Sequence, residues 1–590
     1  MHKKYLITLI SIFVLALILR TWQIQSFPVG ITHDELDYVM NSKSIFHTGK
    51  GLDGEWSPLS LTAMKSGSVM AELTSLLMSP FQGLTTSSLA TARLPYAVSG
   101  SLLAVVIYLF VSKLINQKAG LMAAFMMAIS PWGIHFSRTA YESPVSTLFF
   151  FLSFYLVLKL KHWKILLAFP TCFLAFFTYH GSKVVFLPFI IIILAYKLWI
   201  HHKSKQFSYK PYIAFMTQSI VTVLYFVISL NYQAAGERTD EFFINENSSS
   251  SQTVDDDRRL SIPNQLTPLF INKYKYFIET FIQKYFQAFS PQYLFLFGDR
   301  TGVGAFSYWS HGLLYYLDAV FILMGLYYLF RKKYKVGVLT LLLLLTAPLT
   351  GALHSSGVSF VLRGTILFPL LVILSSIGIY SISELKLSKK IYTRFVLGLI
   401  AVCYLFLFTN YLHLYFVRYP VFGSDGFFLS TRVLSSYINR LIAQNPDQRI
   451  YIVHQEPYYL YKEHLFYSQK FDTKQDIQKH VTNLKQSQYQ DGNVEFTSSC
   501  PNSQLLSGNA VLIKGVQIEK CQTIDNLSPE ATHLSISSLV DTGQLFHIYG
   551  DSLCQNLQLK TYPRIQSSDD FNINNSSNQG FCSMWISDLS

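Results

Sequence analysis

Apolar runs of about twenty residues, the length an α-helix needs to cross a bilayer, recur through the first 415 positions of the chain. They lie near 5–25, 92–113, 119–137, 144–160, 163–180, 184–201, 211–232, 311–330, 336–353, 361–382 and 393–414. The pattern predicts an α-helical polytopic membrane protein with about eleven spans. After residue 415 the pattern changes. Short runs of strand length, RIYIV (449–453), AVLIKGV (510–516) and LFHIYG (545–550), alternate with amphipathic segments. That alternation predicts a small α/β or α+β domain over 416–590. Within the longest loop of the first part, NENSSSSQTVDDDRR (245–259) is polar throughout and reads as mobile. No internal repeat is visible, which counts against transporters built by duplication.

Composition agrees with the class and adds an orientation. Of 590 residues, 50% are hydrophobic and only 14% charged, too little charge to cover a soluble surface of this size. The net charge of +13 invites a nucleic-acid reading, but the basic residues stand in short clusters between apolar runs, as orientation signals do. Lys3/Lys4, Lys113/Lys118, Lys159/Lys161/Lys164, Lys197/Lys203/Lys205/Lys210, Arg331/Lys332/Lys333/Lys335 and Lys386/Lys389/Lys390/Arg394 all fall on one side of the expected bilayer. The positive-inside rule makes that side the cytoplasm, with the N-terminus inside, in an integral cytoplasmic (plasma) membrane. The N-terminal MHKKYLITLISIFVLALILRTWQI has the basic start and apolar core of a signal peptide without a small-x-small cleavage site, so it reads as an uncleaved first span. The exported side then receives the loops 26–91, 130–144 and 233–310, the turns 178–183 and 353–364, and everything after 415. Four of the six cysteines, Cys500, Cys521, Cys554 and Cys582, lie in this tail, and Cys172 and Cys403 lie in apolar runs. An even number on an oxidising face fits disulfides; adjacent pairing is the simplest of three connectivities.

Candidate chemistry collects on the same side. Asp34 and Glu35 are adjacent carboxylates just after the first span, able to take a proton from a hydroxyl or to hold a divalent cation; two acids in a row also occur in plain solvated loops. Arg138 and Glu142 follow in the second loop. Glu142 is a candidate second acid, and Arg138 either forks onto a phosphate or pairs locally. Lys65, His180, Lys183, His354 and Arg363 stand at or just before exported span ends, where a cation can neutralise a phosphate or merely snorkel toward headgroups. No metal cluster, phosphate-binding glycine loop, nucleotide fingerprint or serine elbow is present in the sequence.

The order of these pieces resembles the GT-C superfamily of glycosyltransferases that use polyprenyl-phosphate sugars, in particular the branch of protein O-mannosyltransferases and the lipid A aminoarabinose transferase (glycosyltransferase family 39-like). The matching stretches are PVGITHDELDY (28–38), Lys65, ARLPYAVSGSLLAVVIYLF (92–110), AGLMAAFMMAISPWGIHFSRTAYES (119–143), FTYHGSK (177–183), FSPQYLFLFGDR (289–300) and LHSSGVSFVLRGTILFP (353–369). The chain departs from the family at Ser66-Gly67, where those enzymes often carry two prolines, and nothing beyond 415 matches.

The resemblance implies a GT-C transmembrane catalytic domain over 1–415 and an exported soluble domain over 416–590. It implies inverting transfer of a sugar from a polyprenyl-phosphate donor to an acceptor hydroxyl, with Asp34 as general base, Glu35 assisting, and the donor phosphate near Lys65, His180, Lys183, His354 and Arg363. Some branches use a divalent metal, for which Asp34 and Glu142 are the candidate ligands; no other cofactor is expected. The expected partners are the bilayer, the lipid-linked donor and a protein, glycan or lipid acceptor, with no nucleic acid. Two rival readings stay open: a transporter or flippase of lipid-linked sugars, and an O-antigen ligase or polymerase-like enzyme.

Overall fold

The computed structural model describes residues 3–56, 64–65, 69–201, 208–229, 248–300, 304–354, 360–384, 390–501, 510–518, 521, 533–554, 557, 559 and 565–588. The chain opens with the apolar helix α1 (Lys3–Thr21), followed by α2 (His33–Thr48), a two-stranded hairpin of β1 (Met64–Lys65) and β2 (Val69–Met70), and α3 (Glu72–Leu84). The bundle continues through α4 (Leu89–Leu114), α5 (Gln117–Ile129), the short α6 (Pro131–His135), α7 (Glu142–Lys159), α8 (Phe169–Phe177), α9 (Ser182–His201) and α10 (Lys210–Ser229). Next come α11 (Ser248–Arg259), α12 (Thr267–Phe270), α13 (Lys273–Gln287), α14 (Asp318–Lys332), α15 (Tyr334–Thr346), α16 (Leu349–Leu353), α17 (Phe360–Arg363), α18 (Leu367–Glu384) and α19 (Lys390–His413).

Every expected apolar run contains helix. Seven helical stretches among the described residues are long and apolar enough to cross a membrane on their own: Lys3–Thr21, Leu89–Leu114, Ser182–Ile200, Lys210–Ile228, Tyr334–Leu353, Leu367–Glu384 and Ile391–Phe422. The other runs are interrupted for visible reasons. Ser130 N-caps α6 with Pro131 at its first position, and this splits the run at 119–137. The run near 311–330 becomes helical only at Asp318, whose carboxylate accepts hydrogen bonds from the Tyr315 amide, Ser375 and Tyr404. The chain is a multi-pass membrane protein. The acidic stretch read as a mobile loop is instead helical from Ser248 to Arg259, with Arg259 paired to Asp256 one turn earlier; residues 245–247 lie outside the described residues.

Helix packing uses small residues where backbones meet. On α14 and α18, a Cβ built on Gly325 would stand 2.1 Å from the Leu374 carbonyl oxygen, and one on Gly378 2.0 Å from that of Phe321. The two helices approach so closely only because both positions are glycine. Arg20, fully buried near the end of α1, donates to the Met127 and Ala128 carbonyls that α5 leaves open at its C-terminus.

Beyond the last span, α20 (Tyr419–Phe422) and α21 (Leu429–Gln444) lead into a mixed seven-stranded sheet. Its strands are β3 (Arg449–Val453), β4 (Gln490–Asp491), β5 (Val494–Thr497), β6 (Ala510–Gly515), β7 (His533–Ser537), β8 (Gln544–Tyr549) and β9 (Ser587–Asp588), in the order β4-β5-β3-β6-β8-β7-β9. The central β3 is parallel to both neighbours and buried along four of its five residues, which is why RIYIV reads as an apolar run rather than an alternating one. The helices α22 (Pro457–Tyr467), α23 (Lys474–Lys485) and α24 (Asn578–Trp585) complete the region. Disulfides join Cys500 to Cys521 and Cys554 to Cys582, the adjacent pairing.

Candidate functional site

The loop before α2 and the first turn of that helix form the centre of the site. Thr32 N-caps α2, its hydroxyl accepting from the Glu35 amide while the Glu35 carboxylate accepts from the Thr32 amide. This capping box explains the local sequence T-H-D-E: a threonine cap followed three residues later by glutamate closes the helix start on itself.

Glu35 is wholly enclosed. Arg93, from the first turns of α4 and equally buried, donates Nε to Glu35 Oε1 (2.9 Å) and Nη2 to Oε2 (3.3 Å). The Ala140 amide adds a third support at 2.8 Å. The rest of the Arg93 fork holds the loop itself, reaching the carbonyls of Pro28 (2.7 Å) and Gly30. Gly30 in turn lies so close to the start of α21 that a Cβ there would stand 2.0 Å from the Phe427 carbonyl oxygen. A buried arginine–carboxylate pair of this kind holds only when its donors and lone pairs find partners; here each Arg93 nitrogen and both Glu35 oxygens have one. Glu35 therefore does not stand beside Asp34 as a second open acid.

Asp34, one position earlier, is half-buried. Among the described residues its carboxylate has no hydrogen bond or ion pair, although it lies near enough to Tyr141, Tyr459 and Lys462 to act electrostatically on all three. The Tyr141 hydroxyl, within reach of the Asp34 charge, is buried, as are the Tyr96 and Ser143 hydroxyls, which have no hydrogen-bond partner among the described residues. Buried donors left open are what a polar ligand would satisfy.

Glu142 begins α7 and is largely buried; its charge bears on Tyr96, as does that of Glu35. Arg138, by contrast, is turned away from the ligand space. Its guanidinium donates to the Leu19 and Phe27 carbonyls and to the Tyr415 hydroxyl, and lies over the rings of Tyr415 and Phe416. It fastens the end of α1 and the loop after it, with each of its three nitrogens donating there, which is nearer to the local pairing than to the phosphate fork.

The cationic residues form a second group. Lys183 lies over Phe226, with the ammonium 4.7 Å from the ring centre, and 3.5 Å from His180 Nδ1. The turn that carries His180 is tied to α3 by a hydrogen bond from Thr74 to the Thr178 carbonyl, and to α16 by one from Thr350 to the Gly181 carbonyl. α16 ends at His354, whose carbonyl accepts from Lys284 of α13 at 2.7 Å. Burial first, and then the nearby charge of Arg363, push the Lys284 ammonium below its ordinary range. The structure thus brings Lys284, His354 and Arg363 together, and His180 with Lys183, and joins both groups through α3 to α2, against which α3 packs. The Lys65 side chain and residues 355–359 lie outside the described residues.

The C-terminal region completes the site. Lys462 of α22 makes a buried ion pair with Asp37, one turn beyond Asp34. Its neighbour Glu463, also fully buried, meets His33 Nε2 at 3.4 Å, and the His33 ring is stacked between Phe428 and Tyr459. Asp472 pairs with Lys43 at the other end of α2 (2.8 Å) and accepts from the Ser87 amide and hydroxyl. Arg432 of α21 donates to the Val29 carbonyl at 2.5 Å. Sequence reasoning missed Arg93, Lys284 and this whole set. The signals were an arginine inside an apolar run, and K-E-H in the otherwise apolar PYYLYKEHLFY.

Among the described residues no three His, Cys, Asp or Glu side chains gather as a metal site. Asp34 and Glu142 offer two carboxylates, and no step below is routed through a metal.

The sequence matches no protein-family model and no curated protein. The chain is similar in structure to the archaeal oligosaccharyltransferase AglB from Archaeoglobus fulgidus, in complex with an inhibitory peptide and a dolichol-phosphate. That match has a TM-score of 0.46 and 11% identity, and covers 94% of this chain and 75% of that one. It is also similar to ArnT from Cupriavidus metallidurans bound to undecaprenyl phosphate (TM-score 0.45, 12% identity) and in the apo state (0.44, 11%), each covering 92% of this chain and 97% of that one.

Proposed function

We propose that this chain is a membrane glycosyltransferase that moves a sugar from a polyprenyl-phosphate donor to an acceptor hydroxyl on the extracytoplasmic face, with inversion. The supporting observation is the Asp34 carboxylate, half-buried and without a hydrogen bond or ion pair among the described residues, on a helix start that Glu35 and Arg93 hold. Asp34 accepts the proton as the acceptor oxygen attacks the anomeric carbon, the new C–O bond forms, and the bond from that carbon to the phosphate oxygen breaks. The electron pair leaves with polyprenyl phosphate, whose growing charge Lys183, Lys284, His354 and Arg363 are placed to balance. One displacement by one acceptor needs one base and no covalent intermediate, so Glu35 serves as a positioning residue. The division at 415 makes residues 1–415 the catalytic membrane domain and 416–590 the domain that covers its acceptor side.

The test is release of polyprenyl phosphate when the purified protein is incubated with a panel of polyprenyl-phosphate sugars and an acceptor extract. Release from one donor, lost in Asp34→Asn, is the expected result. No release from any donor by folded protein would overturn the reading and favour a transporter of lipid-linked sugars; full release in Asp34→Asn would remove Asp34 as the base.

A further inference from the structure

Between the start of α2 and one end of the central strands of the C-terminal sheet lies a cavity of about 460 Å³. His33, the residue before Asp34, forms part of its wall, so the cavity reaches the catalytic helix from the side of the C-terminal region. Its polar lining comes from that region. Asp425 gives one carboxylate oxygen to Ser538 (2.8 Å), and its other oxygen has no hydrogen bond among the described residues. Among the described residues, Glu456 and Gln517 have exposed side chains without side-chain hydrogen bonds, and the Gln544 side chain meets His547 alone. Phe428, Tyr459 and Phe546 add aromatic faces.

We infer that this cavity binds the acceptor and that the acceptor there is a carbohydrate, neutral or bearing an amine. Carboxylates and amides with open acceptor and donor positions match vicinal hydroxyls, and aromatic faces match the apolar C–H face of a sugar ring. The charge balance narrows the class. Burial lowers the His454 imidazole in this wall, and His33 is paired with Glu463. The remaining charges, Asp425 and Glu456, repel uronic acids and phosphorylated glycans. The size of the cavity suits a ligand of one to three rings, within the usual range for small-molecule sites. Its assignment as the acceptor site rests on the transferase reading; its capacity to bind sugar does not.

The test uses full-length protein in detergent with no lipid donor, titrated with free oligosaccharides composed of hexoses, N-acetylhexosamines, amino sugars or uronic acids. Binding is read by saturation-transfer NMR and calorimetry. A neutral or amino oligosaccharide binds, and Asp425→Asn, Glu456→Gln and Gln544→Ala each weaken it roughly tenfold, the loss expected for one hydrogen bond to a charged or amide group. Glu456 is exposed, so its replacement tests the site even where Asp425→Asn disturbs the fold. Binding of uronic acids alone, no sugar binding, or binding equal in all variants overturns the proposal. Sugar binding without polyprenyl phosphate release from any donor removes the transferase reading and leaves the sugar site. Release that depends on Asp34, with no sugar bound here, does the reverse.

Discussion

Asp34 and Glu35 are neighbours in the chain, yet their carboxylates stand in opposite conditions. Glu35 is surrounded by the Arg93 guanidinium and the amides of Thr32 and Ala140; Asp34 is open. This contrast separates their variants. Asp34→Asn removes no hydrogen bond, so its thermal midpoint should equal the parent's while transfer falls by about 10²–10⁴-fold, the usual contribution of a positioned base. Glu35→Gln leaves Arg93 a buried charge without its partner, a change that costs about 3–5 kcal/mol. It should lower the midpoint in differential scanning fluorimetry together with activity. A Glu35→Gln protein that melts like the parent but has no activity would instead make Glu35 part of the chemistry. The pair itself was legible in the sequence because two acids follow an apolar run. The division of labour was not, because it depends on Arg93, fifty-eight residues away, and no local pattern ties the two. The sequence left Arg138 open for a similar reason: an arginine that follows a span can bind a phosphate or pair locally, and the position of Leu19 and Phe27, which it meets here, has no local signal.

At the scale of elements, the apolar periodicity marked the helices of the apolar runs in the first part and three of the strands in the second, since both signals are local, but not the helices of the loops, such as α2, α3, α11 and α13. It did not show that α22 lies on α2. That contact rests on buried charges, Lys462 on Asp37 and Glu463 on His33, which look in sequence like solvated polar residues of an amphipathic helix. The Asp37–Lys462 pair should behave as a unit. Lys462→Met strands a buried aspartate and should destabilise strongly, while Asp37→Leu/Lys462→Met removes both charges and should recover much of the loss, a coupling of about 1–3 kcal/mol in a double-mutant cycle. Additive effects would mean that the pair does not form. The same region carries an acid-sensitive group. His480 of α23 is buried, shares a 2.6 Å hydrogen bond with the Tyr461 hydroxyl, and has its pKa lowered by burial to about 4. The unfolded chain, with an ordinary value near 6.5, binds this proton more readily. Stability from this group is therefore present above about 6.5 and is lost as the pH falls toward about 4. The melting temperature should drop across that interval, and His480→Gln should flatten the drop. An unchanged slope in the variant would assign the acid sensitivity to other groups.

At the scale of the whole molecule, the C-terminal region is the outer wall of the site, built in a separate stretch of sequence and returned to the first loop. Lys43 shows the dependence most directly. It is 1% exposed, paired with Asp472 and donating to the Thr85 carbonyl, so trypsin has no access to it in the intact protein. A chain ending at residue 444 keeps every expected span and loses Asp472, Lys462 and Glu463 together. Asp37 and Lys43 then face solvent and α2 loses its C-terminal covering, while the Glu35–Arg93 pair, the cap, the Ala140 amide and the Arg432 contact with Val29 still hold its start. Such a protein should insert in the membrane, show no transfer, and be cut by trypsin after Lys43 at low protease concentration, whereas the full chain resists cleavage there. Mass spectrometry of the first fragments reads the outcome. Continued protection of Lys43 in the truncated chain would show that α2 is held by the membrane bundle alone, and the C-terminal region would then be an addition to a complete site rather than one of its walls.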